Sequence, residues 1–311
     1  MRNLTLKQMR YFEALARHCH FGRAADDCAV TQPALSMQIK ELEETLGAPL
    51  LERGARQIRL TGFGEMFLDR VHDILRKVDD LGDLARAAEG EPFGKLRIGV
   101  IPTVAPYLLP AIVTGLTRAY PTLNPFLRET VTRRLLEELI DGRLDTAILA
   151  LPVSEPALTE VPLFAERFVL IRPEADADKP APSRDSLREM RLLLLEEGHC
   201  FRDQALSFCN LPSTRQREML DGSSLATLVQ MVGAGVGVTL IPEMAVPVET
   251  RSAAVSVARF RDPQPMRTIG MVWRKSSPLE PQLMKIAEVV RAAGDALRSS
   301  SGLATLPGWR A

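Results

Sequence analysis

Between Gly62 and Ala88, apolar or small residues recur at Phe67, Val71, Ile74, Val78, Leu81, Ala85 and Ala88, a spacing of 4-3-4-3-4-3. A repeat near 3.5 residues keeps one stripe on one side of a long helix and makes a seam that meets a second helix in a coiled coil. Arg70, Asp73, Arg76, Lys77, Asp79, Asp80, Asp83 and Arg86 fill the polar flanks. The spacing alone leaves one alternative open, a helix lying along its own domain. Glu89-Gly90-Glu91-Pro92-Phe93-Gly94 then ends the helix and reads as a hinge. A chain of 311 residues, 46% of them hydrophobic, buries more than one core, so two or three units are expected.

Lys plus Arg equals Asp plus Glu at 39 each, so any footprint for a nucleic acid must be local. Met1 to His20 carries scattered charges and no apolar core of a signal peptide, and no run approaches the ~18–20 apolar residues of a membrane span. A cytoplasmic protein with reduced thiols is the expectation. Four cysteines without CxxC spacing form neither a disulfide framework nor a zinc motif.

Ahead of the long helix, Leu6, Met9, Phe12, Leu15 and Ala16 fall at helical spacing and predict the inner face of a first helix. Arg23 to Cys28 reads as a short second helix and Ala29-Val30 as a tight turn. Thr31 is placed to cap a third helix from about Gln32 to Leu46, with Pro33 in its first turn and Gly47 stopping it. This is helix-turn-helix geometry, which presents a recognition helix to a major groove. Gln32, Ser36 and Lys40 form its polar stripe, opposite Leu35, Ile39, Leu42 and Leu46. Gln and Ser read base edges, whereas Lys grips phosphate. The stretch Arg53 to Thr61, hairpin-like with Arg53, Arg56 and Arg59, has the chemistry of a wing pressed on the phosphate backbone. An ordinary helical bundle with a solvated polar face is the plain alternative.

After the hinge, strand-like runs alternate with helical ones. Lys95–Ile101, Leu123–Glu129, Asp145–Leu151, Arg167–Arg172, Leu192–Glu196, Val236–Pro242 and Thr268–Trp273 read as strands. Pro106–Tyr120, Arg133–Asp141, a segment from about Cys200, Ser223–Val232 and Pro281–Leu297 read as helices. That alternation predicts a parallel α/β sheet. Gly233, Gly235 and Gly237 lie between a helix and a strand, the wrong order for a dinucleotide fingerprint, and read as a tight turn. No cofactor is expected.

Cys200 follows His199, opens a helix and has Arg202 two residues on. A helix N-terminus and cationic neighbours stabilise a thiolate, the nucleophile toward peroxide. The resulting sulfenic acid condenses with a second thiol, and Cys209 is the obvious partner. In a continuous helix 200–209 the two Cα atoms would stand about 13 Å apart on opposite faces. A disulfide tolerates up to about 7 Å. The bond therefore requires the helix to unwind. Beside this stand plainer readings: Cys209, next to Phe208, as a small buried hydrophobe, Cys200 with His199 as part of a metal site, and Cys19 and Cys28 as packing. Thr103 and Thr132 each precede a helix and could be caps.

Residue patterns then bring in a family. Phe21-Gly22-Arg23-Ala24-Ala25, Thr31-Gln32-Pro33-Ala34-Leu35-Ser36, Ile39-Lys40-Glu41-Leu42-Glu43, Leu46-Gly47, Leu50-Leu51-Glu52-Arg53 and Leu60-Thr61-Gly62 resemble the LysR-type transcriptional regulators. Gly198-His199-Cys200, Arg202-Asp203-Gln204-Ala205, Phe208-Cys209, Ile101-Pro102-Thr103-Val104, Pro106-Tyr107-Leu108-Leu109-Pro110 and Arg267-Thr268-Ile269-Gly270 resemble its hydrogen-peroxide-sensing branch, and the likeness runs to about Leu297.

The resemblance implies a winged helix-turn-helix (all-α with a β-wing), a long linker helix, and an α/β periplasmic-binding-protein-like effector domain of two subdomains crossed twice by the chain. The limits implied are 1–61 for DNA binding, 62–90 for a dimerising linker and 91–95 for a hinge. Subdomain I then takes 96–164 with 268–300, subdomain II takes 165–267 with the redox cysteines, and 301–311 is a flexible tail. Gln32, Pro33, Ser36, Lys40, Arg53, Arg56 and Arg59 would touch a palindromic operator. Cys200 would be the sensing thiol, Cys209 the resolving one, and Thr103, Thr132, His199, Asp203 and Arg267 the peroxide pocket. The resemblance also implies a homodimer or homotetramer, RNA polymerase as a partner and a thioredoxin- or glutaredoxin-type reductant.

The expected function is a redox-sensing transcription regulator of oxidative-stress genes, not an enzyme. Competing readings are a regulator answering an organic effector in the cleft between subdomains, a thiol peroxidase and a solute-binding protein. The DNA-binding module opposes the last two.

Overall fold

A computed structural model describes residues 4–52, 58–88, 94–180, 187, 189–209, 221–222, 224–260 and 263–300. They fall into two compact units, Met1–Ala85 and Arg86–Ala311.

The first unit is built on α1 (Leu6–His18), α2 (Phe21–Asp27), α3 (Gln32–Leu46) and α4 (Gly62–Ala88). Thr5 opens α1 in a capping box with Gln8, each side chain serving the other's backbone N–H. The α2 cap is unusual, because His20 Nδ1 accepts from the N–H groups of Gly22 and Arg23. Thr31 caps α3 by accepting from the Ala34 N–H, and Gly47 closes it at φ 70°, the left-handed conformation that glycine adopts without strain. Met9, Phe12, Leu15, Leu35, Ile39 and Leu42 bury together as expected, each contributing about 1.5–3 kcal/mol of apolar transfer. Leu6 differs and stays exposed at the first turn.

The long helix is split in use. Val71 is fully buried in the helix-turn-helix core, with Phe67, Leu68 and Leu75 packed on it. Ile74, Leu81 and Leu84, further along, are 40%, 66% and 57% exposed. The first turns of α4 thus pack on their own domain through Phe67, Val71 and Leu75, while Ile74, Leu81 and Leu84 stay exposed. Of the hinge 91–95, residues 91–93 lie outside the described residues, and Gly94 and Lys95 already belong to a strand. The tail 301–311 also lies outside them.

The second unit carries β1 (Gly94–Val100), α5 (Ala105–Ala119), β2 (Leu123–Glu129), α6 (Thr132–Ile140), β3 (Thr146–Leu151) and β4 (Leu158–Pro173). It continues through β5 (Leu192–Leu195), α7 (Cys200–Cys209), β6 (Asp221–Gly222), α8 (Leu225–Gly233) and β7 (Val238–Pro242). It closes with α9 (Val246–Glu249), β8 (Val255–Ala258), β9 (Met266–Arg274) and α10 (Glu280–Ser300). Among the described residues the strands run β2-β1-β3-β9-β4-β7-β5-β6, with β8 also on β4.

The expected parallel sheet is only half of the arrangement. β1 pairs parallel with β2 and β3, and β5 with β6 and β7, whereas β9 is antiparallel to β3 and β4, and β4 to β7 and β8. Two parallel α/β halves thus share the antiparallel pair β4–β9. β4 is 16 residues long, and the Arg167–Arg172 run read from the sequence is only its second half. Its first half pairs Pro162 with Gly270 and shifts register before Phe164. A proline and a bulge there break the alternation that marks a strand.

Candidate functional site

In the first unit, Gln32, Pro33, Ser36 and Lys40 are all exposed on α3, while Leu35, Ile39 and Leu42 face inward. The wing has its base among the described residues: Leu51 bridges Leu60 in antiparallel fashion, and the Glu52 N–H donates to the Arg59 carbonyl at 2.9 Å. Arg59 is exposed beside that base; Arg53 and Arg56 lie outside the described residues. Glu43, on the inner flank of α3, was legible only as part of a family pattern. Its Oε1 accepts the Leu50 N–H at 2.7 Å and the Leu51 N–H at 3.1 Å, tying the wing to the recognition helix. Cys19 is exposed rather than packed, its Sγ donating to the Ala16 carbonyl. Burial, helped by Asp27 and Glu13, pushes the half-buried Cys28 thiol above its ordinary value.

In the second unit a small pocket is lined by Ile101, Pro102 and Thr103 after β1, Val131 and Thr132 at the start of α6, and His199, Cys200 and Phe201 at the start of α7. Gly198, at φ 98°, supplies the turn that delivers His199 and Cys200 to it. The crevice is tight as it stands, with no enclosed space for a water-sized sphere.

Neither threonine is a helix cap. Val104 and Val131 occupy those positions, with no side-chain capping bond. The Thr132 hydroxyl is buried and has no hydrogen-bond partner among the described residues. The Thr103 hydroxyl accepts from Arg267 Nη1 at 2.8 Å. A buried hydroxyl without a partner costs stability unless a water or another small polar group meets it. His199 is 6% exposed, and burial lowers its pKa against the opposing pull of Glu196. Burial thus disfavours the charged form of the imidazole beside Cys200. Arg202 is turned away as well: its Nη1 donates to the Leu195 carbonyl at 2.6 Å, anchoring α7 to β5.

Two expected pocket residues do not line it. Asp203 is exposed on α7. Arg267 is buried behind Thr103, with its guanidinium over the rings of Phe168 and Phe201 at 5.9 and 5.6 Å. Arg267 Nε donates to Glu166 Oε2 at 2.7 Å, and Glu166 Oε1 accepts the Met244 N–H at 3.2 Å. Burial pushes the Glu166 carboxyl upward, while Arg267 and the Met244 N–H pull it back. Nearby, the Tyr107 hydroxyl donates to Glu249 at 2.7 Å, and burial together with that carboxylate pushes the phenol well above its ordinary value. Glu166 and the Tyr107–Glu249 bond had no signal in the sequence, since each joins residues far apart in the chain.

Cys200 is a free, partly buried thiol. Cys209 closes the same continuous ten-residue helix, so the two Cα atoms stand about 13 Å apart at the helical rise. Among the described residues no group of His, Cys, Asp and Glu could hold a metal ion. No described helix is long and apolar enough to cross a membrane.

The helix-turn-helix and the two-part α/β unit define a class, and comparison with known proteins gives it a name. The profile "Bacterial regulatory helix-turn-helix protein, lysR family" matches residues 6–65, and "LysR substrate binding domain" matches residues 89–295. The chain belongs to the LysR family of transcription regulators, with a winged helix-turn-helix and a two-subdomain α/β effector domain.

Within the family it is similar to "DNA-binding transcriptional dual regulator OxyR" of Escherichia coli (strain K12), 43% identical over 298 residues, covering 94% of this chain and 96% of that protein. A "Probable hydrogen peroxide-inducible genes activator" of Streptomyces viridosporus is 42% identical over 296 residues, covering 94% and 95%. Among solved structures, a full-length cysteine-to-aspartate mutant of Pseudomonas aeruginosa OxyR gives a TM-score of 0.74 at 35% identity, covering 93% and 95%. A peroxide-bound cysteine-to-serine mutant of Corynebacterium glutamicum OxyR gives 0.67 at 34% identity, covering 96% of each chain.

Proposed function

We propose that this protein is a homo-oligomeric DNA-binding transcription regulator that senses hydrogen peroxide through Cys200 and controls oxidative-stress genes. The Cys200 thiolate takes one peroxide oxygen as the O–O bond breaks, and the other oxygen leaves as hydroxide. The sulfur is oxidised to a sulfenic acid, which condenses with the Cys209 thiol to give a disulfide and water. What supports this is one grouping, a partly buried thiol beside the Thr103 hydroxyl and a Thr132 hydroxyl without a partner among the described residues, together with the likeness to OxyR proteins.

Each chain turns over once per oxidation and is reset by a thioredoxin- or glutaredoxin-type reductant, so the protein is a regulator and not an enzyme. It works in the cytoplasm, where such reductants keep thiols reduced. The exposed seam residues Ile74 and Leu81 on α4, with Leu84 beside them, meet the same face of a second copy, which brings two recognition helices to a palindromic operator, with RNA polymerase as the downstream partner. Residues 1–61 bind DNA, 62–90 dimerise, the hinge precedes β1 at Gly94, β1 onward to 164 with 268–300 forms subdomain I, and 165–267 form subdomain II.

Footprinting on the DNA beside its own gene, with reduced and peroxide-treated protein, tests the reading. The protected region should change on oxidation in the wild type and not in Cys200→Ser. A Cys200→Ser protein that responds to peroxide like the wild type would overturn it.

A further inference from the structure

We propose that Glu166 is a positioning residue for the reaction at Cys200, acting through Arg267 to hold the Thr103 hydroxyl as a hydrogen-bond donor. This rests on the peroxide-pocket reading given above. Glu166 on β4 and Arg267 on β9 stand directly opposite each other in the antiparallel register. Both are buried, at 4% exposure each, and the carboxylate meets both Nε and Nη2 of the guanidinium at 2.7 Å. The other carboxylate oxygen is fixed by the Met244 N–H. Phe168 and Phe201 flank the guanidinium, so its plane has little freedom to turn. Held this way, Arg267 grips Thr103 twice, donating from Nη1 to Oγ1 and from Nη2 to the carbonyl at 3.2 Å.

The consequence lies in the hydroxyl. A threonine oxygen has one proton to give and two lone pairs. Among the described residues the Thr103 hydroxyl has no hydrogen bond other than the one it accepts from Arg267. An oxygen that accepts from a cation keeps its own proton for donation and donates more strongly. Thr103 lines the pocket with Cys200, so that proton is available to the peroxide oxygen that departs as hydroxide. Glu166 touches neither Cys200 nor the pocket. Its work is to fix the group that commits the hydroxyl.

The test is single-turnover oxidation of Cys200 by hydrogen peroxide in reduced full-length protein. Wild type, Glu166→Gln, Thr103→Val and the double variant are compared, with Cys200 alkylation by iodoacetamide measured in parallel by mass spectrometry. Alkylation expels iodide and needs no hydroxyl donor, so it reports a merely structural disturbance. Glu166→Gln should slow peroxide oxidation roughly tenfold or more while alkylation stays within about twofold. The double variant should be no slower than Thr103→Val, because both act along one path. Glu166→Asp, which keeps the charge but shortens its reach, should fall between wild type and Gln and serves if the Gln variant unfolds.

A wild-type peroxide rate in both Glu166 variants, equal slowing of both reactions, or additive losses in the double variant would overturn the proposal. Slowing by Thr103→Val alone would leave the pocket reading intact and remove only the role of Glu166. Full speed in Thr103→Val would refute the pocket reading itself.

Discussion

Replacing Glu43 with alanine removes the acceptor that holds the wing to the recognition helix, and the cost follows from the two bonds. The Leu50 N–H at 2.7 Å sits on a fully buried residue, so its loss leaves an orphaned donor worth about 2 kcal/mol. The Leu51 N–H at 3.1 Å belongs to a half-buried residue that water can reach, which limits its share to below about 1 kcal/mol. Together, about 2–3 kcal/mol corresponds to a roughly 30- to 150-fold shift in local opening. Hydrogen exchange by mass spectrometry on the peptide spanning Leu50 and Leu51 reads this directly in the full-length protein. Glu43→Gln keeps an acceptor oxygen and should exchange within a few-fold of wild type. Operator affinity should fall in the alanine variant, because Arg59 and the rest of the wing lose their fixed position against the phosphates. Unchanged exchange at these amides in Glu43→Ala would refute the reasoning.

Three further outcomes are expected. His199 is buried with its pKa depressed, so the unfolded chain binds its proton first; stability should fall as pH drops below about 6.5 toward the folded value, and His199→Asn should flatten that limb in urea unfolding at pH 7.5 and 5. Tyr107→Phe loses a hydrogen bond to a carboxylate and should cost about 1.5–3 kcal/mol in denaturant unfolding followed through the second unit. Leu81→Asp places a charge on the exposed end of the α4 seam and should shift sedimentation toward the monomer, with the helix-turn-helix core intact.

The parts legible in the sequence are those written in local chemistry. Thr31, Pro33 and Gly47 mark the start and stop of the recognition helix by their own hydrogen bonds and φ preferences, and the structure places them there. The seam of α4 was legible as a period, but a period does not say which end packs on its own domain. β4 was half missed because Pro162 and the following bulge interrupt its alternation, and its partner in the register, Gly270, lies on a distant strand. The threonines show the limit most clearly. A Thr near a helix start reads as a cap, and only the fold reveals that a valine stands at each cap while the Thr103 hydroxyl accepts from Arg267 instead. Arg267 likewise read as a pocket cation; its pairing with Glu166 joins residues more than a hundred positions apart along the chain.

The claim everything else leans on is that a bond between Cys200 and Cys209 cannot coexist with the helix that carries them. Amide exchange across residues 200–209, measured in reduced protein and after one equivalent of hydrogen peroxide with the disulfide mapped on the same sample, tests it most directly. Protected amides in the reduced form that lose protection as the intrachain bond appears are the predicted result. A mapped Cys200–Cys209 bond with helical protection retained, or both thiols free after peroxide, would contradict it.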